Sequence, residues 1–147
     1  MKYTFNTLEE VKTAIEQWFI TLGFDNKERA EKQYLKIIAE VGEMADALCK
    51  EDLENFKSEA GDVFVTIVGY CLQKEEYLYL EYISDEYLGY STDIDVLIYE
   101  ISVFEFEETL KHLISICHQQ NTTLLECAKI AYNKIQGRLE REELSVK

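Results

Sequence analysis

The chain has 147 residues, a length that favours one domain with a normal core. Apolar residues make up 47% of it and charged residues 30%, so it is globular rather than disordered. The formal charge of −14 argues against a nucleic-acid backbone or an anionic membrane as partner. The same charge is compatible with cationic ligands, although solubility alone would also explain it.

The helices can be predicted from apolar residues that recur at helical spacing and from their start signals. The chain contains no proline and only six glycines, which favours long uninterrupted helices. Thr7 with Glu10, and Thr123 with Glu126, match the capping box that opens a helix. The prediction is an all-α bundle of about five helices, at residues 8–22, 26–49, 53–79, 93–119 and 123–140.

The cysteines and the N-terminal segment bear on the compartment. No two of the four cysteines form a C-x-x-C pair, so we expect buried free thiols in a reducing cytoplasm. The first ten residues, MKYTFNTLEE, lack the apolar region of a signal peptide. The longest apolar run is too short to span a bilayer, so no membrane association is expected. The cysteines are Cys49, Cys71, Cys117 and Cys127.

The third predicted helix carries two carboxylates on an otherwise apolar surface. Its apolar residues cover most of the helical circumference, whereas Glu59 and Asp62 fall in a narrow polar arc. A buried carboxylate costs several kcal/mol unless it is paired or bound to a metal. The arc must therefore face a narrow solvent channel or a group that compensates its charge.

A second acidic pair, Glu40 and Glu43, lies on the preceding predicted helix. Taken alone, it could be ordinary solvated surface. Each pair has i,i+3 spacing, however, and two antiparallel helices would bring all four carboxylates together. Such a cluster suits Mg²⁺, which prefers oxygen ligands and retains water. Gly42 and Gly61 lie inside these pairs and suggest close helix approach or room for a ligand.

The two segments EVGEMADAL and EAGDVFVTIV carry a resemblance to a known family. E-x-x-E followed after a short spacer by E-x-x-D resembles the signature of the all-α nucleoside triphosphate pyrophosphohydrolases, the MazG-like superfamily. Dimeric dUTPases and phosphoribosyl-ATP pyrophosphatase belong to the same group. Residues 5–75 match this pattern well and residues 123–138 loosely, within a single domain spanning 1–147. Residues 76–120 diverge from a minimal family domain.

The resemblance implies a Mg²⁺-dependent enzyme, with Mn²⁺ as a possible substitute. Such enzymes cleave a nucleotide between its α and β phosphates to give a monophosphate and pyrophosphate. Glu40, Glu43, Glu59 and Asp62 would then hold the metal. Glu43 could instead act as the general base that orients the attacking water.

Substrate contacts are also implied by the resemblance. Family members often carry a lysine and an asparagine on the helix that completes the site, which points to Lys129 and Asn133. Lys134 and Arg138 form a second i,i+4 pair on another face and are weaker candidates. Trp18, on the first predicted helix, would contact the base or else belong to the core.

The remaining predictions concern the divergent segment and assembly. His112 and His118 have no partner at metal-ligand spacing, so we expect both to be structural or exposed. The nearly all-apolar third helix suggests burial between subunits, in a homodimer or a dimer of dimers. The alternative function is a non-catalytic acidic helical oligomer that acts through protein interactions or metal binding. The tyrosine-rich stretch suggests an interface or packing and contains Tyr77, Tyr79, Tyr82, Tyr87 and Tyr90.

Overall fold

The computed structural model describes residues 4–81, 83 and 89–140. Over these ranges it contains six α-helices and no β-strand, which confirms the predicted all-α class. A 3₁₀ turn over Lys27–Arg29 precedes the second helix. The helices are α1 (Leu8–Thr21), α2 (Ala30–Cys49), α3 (Leu53–Gln73), α4 (Ile94–Ser102), α5 (Phe106–Gln119) and α6 (Leu124–Glu140).

Three helix boundaries differ from the prediction. The second helix begins at Ala30 rather than at residue 26, because residues 27–29 form a 3₁₀ turn. The fourth predicted helix is two helices, α4 and α5, separated at residues 103–105, where Phe104 has a φ of 61°. The third ends at Gln73 rather than at residue 79, and Glu75 has a φ of 57° just beyond it. Left-handed backbone ends a helix without glycine or proline, so neither break has a sequence signal.

The two predicted capping residues, Thr7 and Thr123, directly precede α1 and α6. At the start of α1, Glu10 N donates to Thr7 Oγ1 and Thr7 N donates to Glu10 Oε1, both at 3.2 Å. At the start of α6, Glu126 N donates to Thr123 Oγ1 at 3.1 Å. The Glu126 side chain accepts instead from the Thr122 hydroxyl, at 2.7 Å.

Helix α3 is the centre of the bundle. It contacts α1, α2, α5 and α6, and its Phe56, Phe64 and Ile67 side chains are almost completely buried. A single chain therefore already covers the apolar surface that suggested burial between subunits. The homodimer or dimer of dimers stays a prediction, without support from α3.

Several predictions outside the acidic pairs can be compared with the structure. Cys71, Cys117 and Cys127 are buried and form no disulfide, as expected, but Cys49 is exposed because it lies at the end of α2. His112 is half-buried, with Nδ1 3.3 Å from the Ser91 carbonyl oxygen.

The tyrosine-rich stretch lies only partly within the described residues. Tyr77 and Tyr79 are exposed and their rings meet edge to face at 4.5 Å. Tyr82 and Tyr87 lie outside the described residues. Within the described helices, none is both long and apolar enough to cross a membrane.

Gly61 and Gly42, at the centres of the two acidic pairs, have different surroundings. A Cβ at Gly61 would overlap the Cys127 carbonyl oxygen and lie 2.8 Å from the Ala131 Cβ. A Cβ at Gly42 would meet no atom within 4 Å. Close helix approach is thus the reason for glycine at position 61, where α6 packs on α3, and not at position 42.

We therefore predict opposite effects of the same change at these two positions. Gly61→Ala should lower the free energy of unfolding by roughly 1–3 kcal/mol, because α6 must move away from α3. Gly42→Ala should raise it by about 0.5–1 kcal/mol, the gain in helix propensity. Denaturant unfolding of both variants measures the two values. Equal effects at the two positions would contradict the close packing at Gly61.

Candidate active site

Three carboxylates from two antiparallel helices form one cluster. Glu40 on α2 and Glu59 and Asp62 on α3 each place one oxygen within 4.8 Å of the other two. All three side chains are half-buried. The short turn at residues 50–52 folds α3 back along α2, so the middle of one helix faces the first half of the other. The predicted meeting of the two acidic pairs is thus present for three of the four residues.

The cluster is electrostatically unfavourable by itself. Partial burial, followed by the charges of Asp62 and Glu59, raises the pKa of Glu40 to about 7. Burial and the Asp62 charge also raise the pKa of Glu59, although the Lys134 ammonium partly offsets this. The site therefore takes up a proton or another cation readily near neutral pH.

The chemistry of these donors fits a hard divalent cation. Carboxylate oxygens are the ligands that Mg²⁺ prefers, and Mg²⁺ is commonly held by a few carboxylates together with water and substrate phosphates. The half-buried cluster leaves an open side where such additional ligands can lie. A divalent ion there would also remove the repulsion that raises the pKa of Glu40.

Glu43 lies at the edge of this cluster rather than within it. Its side chain is exposed and is not among the three residues whose oxygens converge. Its charge nevertheless helps to raise the pKa of Glu59, after burial, Asp62 and the opposing effect of Lys134. Glu43 is one helical turn beyond Glu40 on α2, so it borders the solvent side of the site.

Lys134 on α6 supplies the positive charge at the cluster. Its Nζ lies 2.8 Å from Asp62 Oδ2 and 2.9 Å from Ser58 Oγ. The sequence interpretation ranked Lys134 and Arg138 below Lys129 and Asn133. The i,i+4 spacing shows that Lys134 and Arg138 share one face of α6. Which part of the protein that face meets depends on how α6 packs against Gly61.

The two residues favoured from the sequence are placed differently. Lys129 is half-buried near Glu126. The hydrogen bond from Thr122 lowers the pKa of Glu126 most, followed by the contact with Lys57 and then by the charge of Lys129. Asn133 is half-buried and lies one position before Lys134.

A cavity of about 380 Å³ extends from the carboxylates along α2 and α3. Glu40, Asp62 and the basic residues Lys36 and Arg138 line its charged end. Its other end combines aromatic side chains with polar ones: Arg29 lies over the Phe24 ring there, beside Trp18, which the sequence placed in the core or against a base. The shape and lining suit a ligand that has phosphates at one end and a flat ring at the other.

A wider cavity of about 510 Å³ lies elsewhere on the molecule. Tyr34, Tyr70 and Phe104 line it, and its acidic residue is Glu31 rather than a member of the carboxylate cluster. Because it contains none of the converging carboxylates, the smaller cavity is the better candidate for chemistry.

Comparison with known proteins relates this site to a family. The family model described as "MazG nucleotide pyrophosphohydrolase domain" matches residues 28–86. This match confirms the predicted resemblance to the MazG-like superfamily over residues 28–86. The matched segment contains α2, α3 and all four acidic residues, while α1 and α6 lie outside it. Searches of curated proteins and of solved structures gave no match.

The raised pKa of Glu40 predicts how Mg²⁺ stabilisation depends on pH. Between pH 4.5 and about 7, folded Glu40 holds a proton that the unfolded chain lacks, so this group stabilises less as pH rises. A divalent cation would bind the ionised form of the cluster, around which Glu43, Lys134, Lys36 and Arg138 are further charged groups. Adding Mg²⁺ to chelator-treated protein should therefore raise Tm more at pH 8 than at pH 6.

The isosteric variant Glu59→Gln is the control for this measurement. It removes one converging carboxylate while keeping the side-chain volume, so the increase in Tm with Mg²⁺ should largely disappear. An equal Mg²⁺ effect at pH 6 and pH 8 in the wild type would contradict the assigned ionisation of Glu40.

Proposed function

We propose that the protein is a Mg²⁺-dependent nucleotide pyrophosphohydrolase. It would cleave a nucleoside triphosphate between the α and β phosphates to give a nucleoside monophosphate and pyrophosphate. The observation that carries this proposal is the convergence of Glu40, Glu59 and Asp62, within the segment that matches the MazG domain. The 380 Å³ cavity joins Glu40 and Asp62 to basic and aromatic side chains.

Glu40, Glu59 and Asp62 would hold the metal, and Glu43 would be a fourth ligand from the solvent side if it does not act as the base. Mg²⁺ is the expected ion and Mn²⁺ a substitute, because both accept carboxylate oxygens. When bound, such an ion lowers the pKa of a coordinated water and neutralises phosphate charge. The exchange of the Glu40 proton for the ion fits its pKa of about 7.

Glu43 is the proposed general base. Hydrolysis forms one P–O bond to water and breaks the bridging P–O bond, so the water must lose a proton. Glu43 is exposed at the edge of the cluster, where a carboxylate can accept that proton and pass it to solvent. Attack on the α phosphorus releases pyrophosphate, which leaves as an anion and needs nearby cations.

Basic side chains at the charged end of the cavity would supply the positive charge near the leaving group. Lys36 and Arg138 line the cavity beside Glu40 and Asp62. Lys134 holds Asp62 through a 2.8 Å ion pair and can turn toward a phosphate once a metal shares that carboxylate. Lys129 and Asn133 stay substrate-binding predictions on the same helix.

Self-association as a homodimer or a dimer of dimers is part of the proposal, as is a cytoplasmic location. Exposed apolar side chains on two helices support an interface, namely Leu35 and Ile38 on α2 and Ile98 and Tyr99 on α4. Such side chains are common at subunit contacts.

The competing function is a non-catalytic acidic oligomer that binds proteins or metals. The same fold and the same exposed acidic residues would serve it. It predicts that neutral substitutions in the carboxylate cluster change no reaction rate, because the protein would not hydrolyse nucleotides.

A nucleotide panel tests the enzyme proposal. Ribo- and deoxynucleoside triphosphates with Mg²⁺ or Mn²⁺ should yield pyrophosphate and the matching monophosphate, identified by chromatography. Glu43→Gln and Asp62→Asn should each lower kcat by at least about 10²-fold, since each removes a metal ligand or a base. Glu31→Gln, on α2 but outside the cluster, should retain full rate. A panel without pyrophosphate release would refute the proposal.

A matched lysine pair tests which face of α6 meets the phosphates. Lys134→Met removes the ammonium that contacts Asp62, and we expect kcat/KM to fall by about tenfold or more. Lys129→Met removes a charge near Glu126 and should reduce it less. Steady-state kinetics on both variants gives the comparison. A larger loss for Lys129→Met would show that the phosphates lie on the other face.

A further inference from the structure

Two side chains on one face of α3 hold the Lys134 ammonium of α6. Lys134 Nζ lies 2.8 Å from Asp62 Oδ2 and donates to Ser58 Oγ at 2.9 Å. Ser58 and Asp62 are four residues apart, so their side chains are neighbours on the helix and form one pair of acceptors. The Asp62 side chain is 19% exposed and the Lys134 side chain 31%, so this ion pair is partly shielded from solvent.

The positive charge of Lys134 is directed at the carboxylate cluster. Among the ion pairs of the described residues, the pair of Lys134 with Asp62 is the one that involves a member of the cluster. The Lys134 charge also acts on Glu59, where it partly offsets the rise in pKa that burial and Asp62 cause. Lys57 on α3 pairs with Glu126 instead, at 3.2 Å. The fold therefore places one of its own cations on a carboxylate that would hold a metal.

A divalent ion held by Asp62 would lie beside this ammonium. Two positive charges repel each other, and water and salt screen that repulsion less in a half-buried site than on an open surface. The Lys134 ammonium therefore weakens the binding of a metal ion that arrives without an anion.

A polyphosphate would reverse the effect of this repulsion. Its oxygens can ligate a metal and accept hydrogen bonds from an ammonium at the same time. The position of Lys134 suits such a contact, because its partner Asp62 lines the 380 Å³ cavity, as does Arg138 one helical turn further along α6. Ser58 is uncharged and keeps its hydrogen bond to the ammonium when a metal draws on Asp62.

We propose that Lys134 is a resident counter-ion that makes metal binding depend on the nucleotide. It disfavours the metal ion alone and favours the metal together with a polyphosphate, so each ligand raises the affinity for the other. The proposal rests on the proposed function and adds how its site is regulated: the chain's own cation keeps metal affinity low until a nucleotide arrives. Ser58 is a positioning residue that acts through Lys134.

Mn²⁺ binding to the full chain without nucleotide tests the first part of this role. Electron paramagnetic resonance measures the free ion, and loss of the binding in Glu59→Gln assigns the Kd to the cluster. Lys134→Met and Lys134→Gln both remove the charge, and the glutamine keeps a hydrogen-bond donor. Both should lower the Kd for Mn²⁺ by about threefold or more. The control Lys57→Met removes a lysine that pairs outside the cluster, so its Kd should stay within about twofold of the wild type.

Nucleotide binding tests the second part. The probes are the α,β-imido analogues of the four deoxynucleoside triphosphates, in which an N–H replaces the bridging oxygen between the α and β phosphates. Calorimetry at saturating Mn²⁺ gives each Kd. For the analogue that binds best, Lys134→Met should raise the Kd by about tenfold or more, and Ser58→Ala by about threefold, because its ammonium remains but is less well placed. Ser58→Thr keeps a hydroxyl and should bind like the wild type.

Opposite shifts of the two Kd values distinguish this role from structural damage, which would weaken the binding of both ligands. An unchanged or higher Kd for Mn²⁺ in both Lys134 variants would overturn the proposal. Unchanged binding of every analogue by Lys134→Met, or no analogue binding by the wild type, would overturn it as well. Unchanged analogue binding by Ser58→Ala would overturn the positioning role of Ser58.

Failure of the proposed function gives a different result. Pyrophosphate release by the wild type, without opposite shifts in the Lys134 variants, would keep the enzyme assignment and remove the coupling. Opposite shifts without pyrophosphate release from any triphosphate would support the coupling and remove the hydrolase assignment.

Discussion

Repulsion among three half-buried carboxylates is the constraint on which the site depends. Apolar packing of α2 against the central helix α3 brings Glu40, Glu59 and Asp62 together, and burial, followed by the charges of Asp62 and Glu59, raises the pKa of Glu40 to about 7. Lys134 supplies one positive charge through Asp62. Packing elsewhere in the bundle compensates for this arrangement, as expected where strain or repulsion is retained for function.

Helices α2 and α3 also form the other end of the cavity, whose lining differs from that of the charged end. Their antiparallel packing places the carboxylates at one end of the cavity and the paired amides of Gln33 and Gln73 at the other. Along one face of α2, successive turns contribute the Gln33 amide, the positive charge of Lys36 and the Glu40 carboxylate. A ligand with a polar ring, a spacer and a polyanion matches this order, and the nucleotide of the proposed function is such a ligand.

Local signals in the sequence were enough for much of this structure. Helical spacing and capping boxes predicted the class and most helix starts, because they depend on neighbours within one turn. The break at Phe104 and the early end of α3 carry no glycine or proline and were missed. The i,i+3 spacing predicted the acidic cluster except for Glu43, whose exposure depends on how the helices rotate about their axes.

Tertiary packing decided the remaining features. Which lysine of α6 meets the cluster depends on the contact of Gly61 with Cys127 and Ala131, which no pattern within α6 contains. Burial of α3 was predicted correctly, but its partners turned out to belong to the same chain. The Gln33–Gln73 pair joins residues 40 positions apart and became visible only in the folded chain.

The most direct test of the metal site is a crystal structure of the protein grown with Mn²⁺, with anomalous diffraction measured to locate the ion. The account predicts an anomalous peak between α2 and α3, within coordination distance of oxygens from Glu40, Glu59 and Asp62. Crystals with bound Mn²⁺ only at other positions, or with these three carboxylates turned apart, would contradict it.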